Sequence, residues 1–147
     1  MTGPGPLALA LVTARLAGTA GLLDVGGAAE YFAARESLKR WPAAFVLPAK
    51  DTSAANVFAT EEIDQRVTAR YGVIIAVRNL RDAKGEAAMA DLTPIRHAVW
   101  DQLLGWIPAS GFSPCTYGGG RLLDLDEDAQ VLWWADEFDT DYHVRVI

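Results

Sequence analysis

At 147 residues, 51% hydrophobic and 22% charged, the chain has the size and balance of one globular domain that needs no disulfide or metal staple. A formal net charge of −6 argues against a phosphate-backbone binder built on clustered cations, and the single cysteine, Cys115, excludes an internal disulfide and leaves no thiolate zinc set. The charge is uneven. Beyond residue 120, Arg121 and Arg145 stand against Asp124, Asp126, Glu127, Asp128, Asp136, Glu137, Asp139 and Asp141, so the excess of carboxylates belongs to the C-terminal end. An anionic surface is still compatible with nucleic acid that slides past without sticking.

Residues 7–17 carry Leu7, Leu11, Val12 and Leu16 at helical spacing between Pro6 and Gly18. That pattern predicts a helix covering one side of a sheet. The apolar run 7–12 has no basic flank and meets Arg15 at once, so it does not read as a signal peptide. No charge-free run approaches the roughly 20 residues of a spanning helix. Residues 28–38 allow a short helix or an irregular crossover. Residues 41–48 predict a short buried strand bounded by Pro42 and Pro48. Residues 50–64 show no sustained period and predict a long loop, which compact domains rarely keep without a task.

Residues 65–79 are the clearest strand. Val67, Ala69, Tyr71, Val73, Ile75 and Val77 share one face; Arg66, Thr68, Arg70, Gly72, Ile74, Ala76 and Arg78 share the other. The half at 73–77 is apolar on both faces and therefore buried. Residues 81–85 are expected to end this strand. A second helix is expected over at least 94–106, with Thr93 as N-cap, Pro94 in the first turn and Pro108 as terminator. Residues 112–120 predict a linker, with Gly118, Gly119 and Gly120 at the mouth of the next strand. That strand, 121–126, turns through 126–130 into an antiparallel neighbour.

In the neighbour, Leu132, Trp134, Asp136, Phe138, Thr140, Tyr142, Val144 and Val146 fall on one parity, and Glu137, Asp139, Asp141, His143 and Arg145 on the other. The parity holds for nearly 50 Å at about 3.3 Å per residue. Such a strand either breaks near 139–141 or runs beyond its own domain. The expected architecture is a single α+β domain: a mainly antiparallel four-stranded sheet with two or three helices packed on one face.

Three arrangements that would carry catalysis fall short. Asp124, Asp126 and Asp128 begin like a calcium loop, but Ala129 and Ala135 stand where glycine and glutamate are needed. Asp136, Glu137, Asp139 and His143 would need a pocket that shifts their pKa values, and a polar strand face predicts exposure instead. Cys115 lies in a Ser-Pro-Cys-Thr-Tyr loop with no helix N-terminus or base beside it, which reads as an inert thiol. His97 and His143 lack metal spacing. The three glycines lead into a strand, not into the Lys-Ser/Thr and helix of a phosphate loop. No catalytic, cofactor-binding or metal residue is therefore assigned. Arg66, Arg70 and Arg78 read as a solvated or cross-strand-paired face, with a protein interface as the second reading. Trp133 and Trp134 point to opposite faces, one into the core and the other under a helix or at an interface.

The segments 41–48 (Trp-Pro-Ala-Ala-Phe-Val-Leu-Pro), 65–82 (Gln-Arg-Val-Thr-Ala-Arg-Tyr-Gly-Val-Ile-Ile-Ala-Val-Arg-Asn-Leu-Arg-Asp), 103–106 (Leu-Leu-Gly-Trp), 119–126 (Gly-Gly-Arg-Leu-Leu-Asp-Leu-Asp) and 132–138 (Leu-Trp-Trp-Ala-Asp-Glu-Phe) carry a resemblance. In order and spacing they resemble the bacteriophage tail terminator, or tail completion, proteins of the Gp37-like branch. The first 40 residues contribute nothing specific to it.

The resemblance implies a structural virion protein without a cofactor, made in the host cytoplasm. Its small subunit would form a homo-hexameric ring that caps the tail tube, ends tube polymerisation and offers a docking face to the head or neck. Its partners would be itself, the tail tube protein and a neck or head completion protein, with DNA as passing cargo and no membrane. The loop between the first two strands would face the lumen or the tube, here through Lys50, Asp51, Asn56, Phe58, Glu61 and Glu62. A closed ring needs unlike patches on neighbouring copies. The basic Arg66, Arg70 and Arg78 are expected to meet the acidic Asp124, Asp126, Asp136, Glu137, Asp139 and Asp141 across that interface, with Trp133 beside them. The alternatives are another neck or baseplate adaptor ring, or a metal-binding enzyme using the C-terminal carboxylates.

Overall fold

Two strands of sixteen residues, β3 (Ile63–Arg78) and β5 (Val131–Val146), form the spine of a computed structural model that describes residues 3–37, 40–78 and 86–146. They pair antiparallel from Ile63 opposite Val146 to Arg78 opposite Val131 without a register shift. The long parity of β5 therefore neither breaks nor leaves the domain. Each residue of it faces a partner on an equally long strand, and Thr140, opposite Ala69, is buried with its hydroxyl on the Ser113 carbonyl at 2.6 Å.

The remaining elements are α1 (Leu9–Leu16), β1 (Asp24–Gly26), α2 (Ala28–Ser37), β2 (Ala43–Ser53), α3 (Glu86–Leu103) and β4 (Thr116–Asp126). The sheet runs β1-β2-β3-β5-β4, with β1 parallel to β2 and every other pair antiparallel. The sheet is thus mainly antiparallel, as expected, but it has five strands rather than four and one parallel pair makes it mixed. The added strand, Asp-Val-Gly, is too short to show any alternation.

The helices also depart from expectation by lying on both faces. On the first, Val12 and Leu16 of α1 and Leu92, Ile95, Val99 and Leu103 of α3 pack on Ala44, Val46, Val73, Ile75, Val77 and Leu132. On the second, Tyr31 and Ala34 of α2 pack on Phe45, Ile74, Ala76, Trp133 and Ala135. The doubly apolar half of β3 demands this second cover. Each fully buried Val, Leu, Ile or Phe contributes about 1.5–3 kcal/mol, so leaving one face wet would be expensive. Tyr71 and Phe138, both at 0% exposure, stack at 5.8 Å in the middle of the first face.

Three boundaries shift for local reasons. Residues 50–53, expected in a loop, pair with Arg70 to Val67 beyond an irregularity between Pro48 and Lys50, and β3 already begins at Ile63. The loop shrinks to residues 54–62. Pro94 lies inside α3 rather than at its start, and the Thr93 hydroxyl donates back to the Met89 carbonyl at 3.3 Å instead of capping. The helix ends at Leu103, with Gly105 at φ +80° closing the turn. Gly118, Gly119 and Gly120 lie within β4 rather than before it. The expected strand end at 81–85 lies outside the described residues.

Candidate assembly surface

Alternation along β3 and β5 places Gly72, Arg70, Thr68 and Arg66 opposite Glu137, Asp139, Asp141 and His143 on the second face, beyond the stretch that α2 packs against. Opposite charges in direct register pair across the strands. Arg70 donates from Nε to Asp139 Oδ1 at 2.8 Å and from Nη2 to Oδ2 at 2.9 Å, and its Nη1 lies 3.3 Å from Glu137. The bond to Asp139 raises the guanidinium further above its ordinary value. Thr68 donates to Asp141 at 2.6 Å. At the end of the ladder His143 Nδ1 meets Asp64 at 2.8 Å, and Arg145 donates to the other oxygen at 3.3 Å. The His143 bond, joined by Arg145, outweighs desolvation and holds Asp64 below the usual carboxylate value.

Of the expected cations, Arg70 therefore meets expected acidic residues, Glu137 and Asp139, inside one subunit. Arg78 donates to the Ala129 carbonyl and lies 5.4 Å from the Trp41 ring. Asp124 pairs with Arg35 at 2.9 Å, and Asp126 accepts from the Ala129 backbone to fix the β4–β5 turn. Two members of the expected interface are not on a surface at all. Trp133 is 3% exposed beneath α2, with Arg35 over its ring at 4.7 Å, and Asp136 is 0% exposed. Of the expected cations only Arg66 is exposed with no side-chain hydrogen bond or ion pair among the described residues.

Asp136 sits on the apolar parity of β5, and that parity was the signal for its burial. It accepts from Arg96 Nε and Nη2 at 3.0 Å each, Trp100 Nε1 at 3.0 Å, Trp134 Nε1 at 2.9 Å and the Tyr117 hydroxyl at 3.0 Å. Arg96 lies between the rings of Trp100 and Trp134, at 5.1 and 4.6 Å. Burial pulls the guanidinium down, but Asp136 outweighs it and the net shift is upward; burial and then Asp136 push the Tyr117 hydroxyl up. This network ties α3 to β4 and β5, and the i,i+4 pair Arg96 and Trp100 was its trace in the sequence.

The loop between β2 and β3 is organised chiefly by Asn56, with Gln65 donating to the Ala54 carbonyl at 3.1 Å. Asn56 donates from Nδ2 to the carbonyls of Phe58 and Glu62, at 3.0 and 2.9 Å, and accepts from the Asp64 backbone at 2.7 Å. Val57 is left 70% exposed and Phe58 44% exposed, with Glu61 and Glu62 also in solvent. Of the residues expected to face a lumen or tube, Phe58, Glu61 and Glu62 lie on the loop, Asn56 organises it, and Lys50 and Asp51 are exposed on paired β2.

Nothing in these groups assembles a reaction centre. Cys115 is 2% exposed, burial pushes its thiol up, and Tyr71 donates to its sulfur at 3.2 Å. Among the described residues no group of three or more His, Cys, Asp or Glu is placed to hold a metal ion, and no helix is long and apolar enough to cross a membrane.

A family model described as phage tail terminator protein matches residues 3–147. The chain belongs to the phage tail terminator family. That match takes in residues 3–40, whose helices α1 and α2 lie on opposite faces of the sheet. The terminator fold is similar to that of a chain in the virion of a native gene transfer agent particle, at a TM-score of 0.51 and 14% identity over 92% of this chain and 86% of that one. No curated protein matches the sequence. Membership in the terminator family gives the chain a structural role in a phage-type tail.

Proposed function

We propose that six copies of this chain close into a ring on the end of the tail tube, stop tube polymerisation and present a docking face to the head or neck. The observation that carries this reading is the terminator match over residues 3–147. The geometry supports it in three ways. The ion pairs along β3 and β5 and the network on Asp136 hold the sheet together, which speaks for a structural subunit. The β2–β3 loop presents exposed apolar side chains on a pre-ordered turn, the form of a contact with another protein. Lastly, a net charge of −6 suits a passage through which DNA travels without being held.

In this reading the partners are further copies of the chain, the tail tube protein and a neck or head completion protein; no cofactor takes part. Of the expected contact sets, Lys50, Asp51, Phe58, Glu61, Glu62, Arg66 and Arg78 remain exposed to meet them. Electron micrographs of the purified protein, alone and mixed with tail tubes, are expected to show closed rings and rings seated on tube ends. A strictly monomeric species at high concentration, with tubes present and unmodified, would overturn the proposal.

A further inference from the structure

The outer strand β4 carries a shallow depression of about 190 Å³ on the second face, lined by Gly118, Gly119, Gly120, Arg121, Ala135 and Glu137. Its volume falls below the roughly 300–1,000 Å³ of small-molecule pockets. It is a seat for a side chain. Gly119 holds φ +126°, which only glycine adopts readily, and the position its Cβ would take is open space, so bare backbone floors the depression there, with the Arg70 guanidinium against neighbouring Gly118. Arg121 at its rim is exposed and makes no hydrogen bond or ion pair among the described residues. Glu137, by contrast, is already engaged by Arg70 at 3.3 Å.

The tip of the β2–β3 loop has the complementary character: Phe58 exposed, with Glu61 and Glu62 beside it. It cannot reach the depression of its own subunit. Gly72 and Gly119 both stand opposite Glu137, and nine residues of extended β3 separate Gly72 from Ile63, a distance of about 30 Å. A larger apolar groove, about 540 Å³ between α1, α2 and β2, is a poorer seat because Glu30 lines it and would face the acidic tip.

We propose that the loop tip of one copy docks into the glycine-floored depression of the next, with Phe58 over the bare backbone and Glu61 or Glu62 against Arg121. This contact rests on the ring reading and names the surfaces that close it. Tip and seat are different patches, so the contact is heterologous and generates a ring or a filament rather than a two-fold dimer.

The test is a charge swap read by sedimentation velocity on the full chain, with thermal melting as the check on folding. Wild type is expected to form rings. Phe58→Ser, which removes a central aromatic anchor, is expected to weaken association by about thirtyfold per interface with melting unchanged. Arg121→Glu should dissociate the rings, and adding Glu61→Lys and Glu62→Lys to it should restore them. Rings that persist in both Phe58→Ser and Arg121→Glu would overturn this contact and leave the ring itself standing. So would intact rings that have lost only their hold on tail tubes, which would assign the tip to the tube. A wild type that never assembles would sink the ring and the contact together.

Discussion

Asp136 shows how one residue can be read correctly by pattern and wrongly by type. Its carboxylate suggested a surface, while its place on the apolar parity of β5 required burial, and the structure follows the parity. Five donated hydrogen bonds make that burial tolerable. Removing the acceptor leaves a part-buried Arg96 and two indole N–H groups without their partner, so Asp136→Ala is expected to cost about 3–5 kcal/mol in urea unfolding. A loss below about 1 kcal/mol would show that solvent already satisfies these donors.

Asp64 behaves differently because it is only partly buried and lies at the end of the ladder. Its folded pKa is lowered, chiefly by His143, so its contribution is present above the ordinary carboxylate value and is lost as pH falls through the folded value. His143→Ala should move the Asp64 titration midpoint upward, as followed by carboxyl-carbon NMR shifts. An unmoved midpoint would mean that the contact is not maintained in solution.

Among the elements, β3 and β5 were legible because alternation is a strong signal when one face is buried. The doubly apolar stretch of β3 calls for cover on both faces, yet helices were expected on one face only. Residues 28–38, within which α2 supplies the second cover, read equally as a short helix or an irregular crossover. α2 buries only Ala34 and has a nearly flat distribution of apolar residues, so its period is hard to see. β1 offers three residues, fewer than alternation needs, and Pro94 invites a helix start that Thr93 does not cap. The glycine run of β4 looked like a linker because composition cannot show what lies next to a missing Cβ. At Gly120 a Cβ would run into Asp136 and the Tyr117 hydroxyl. Gly120→Ala is therefore expected to destabilise by about 1–3 kcal/mol in denaturant melts, by crowding the same network that Asp136→Ala empties. If both substitutions act through that network, their combined effect should fall short of the sum of the two.

For the whole molecule, family was more legible than contact surface. The spaced segments from residue 41 onward resemble tail terminators, and the family match extends over residues 3–147. Which charges face a neighbour was not legible. Pairing across β3 and β5 depends on register, and register joins residues nearly 70 positions apart, such as Arg70 and Asp139. Once those charges are paired internally, exposed Phe58 and Arg121 become the more informative surface residues. On the proposed ring, the acidic excess of the C-terminal end then describes the field around the lumen rather than the joints between copies.

The direct test of the central claim is the growth of tail tubes polymerised from purified tube protein, followed by electron microscopy as this protein is titrated in. Elongation is expected to stop as tube ends become saturated, each arrested end carrying a ring. Tubes that lengthen at an unchanged rate, with the protein in excess and their ends bare, would contradict it.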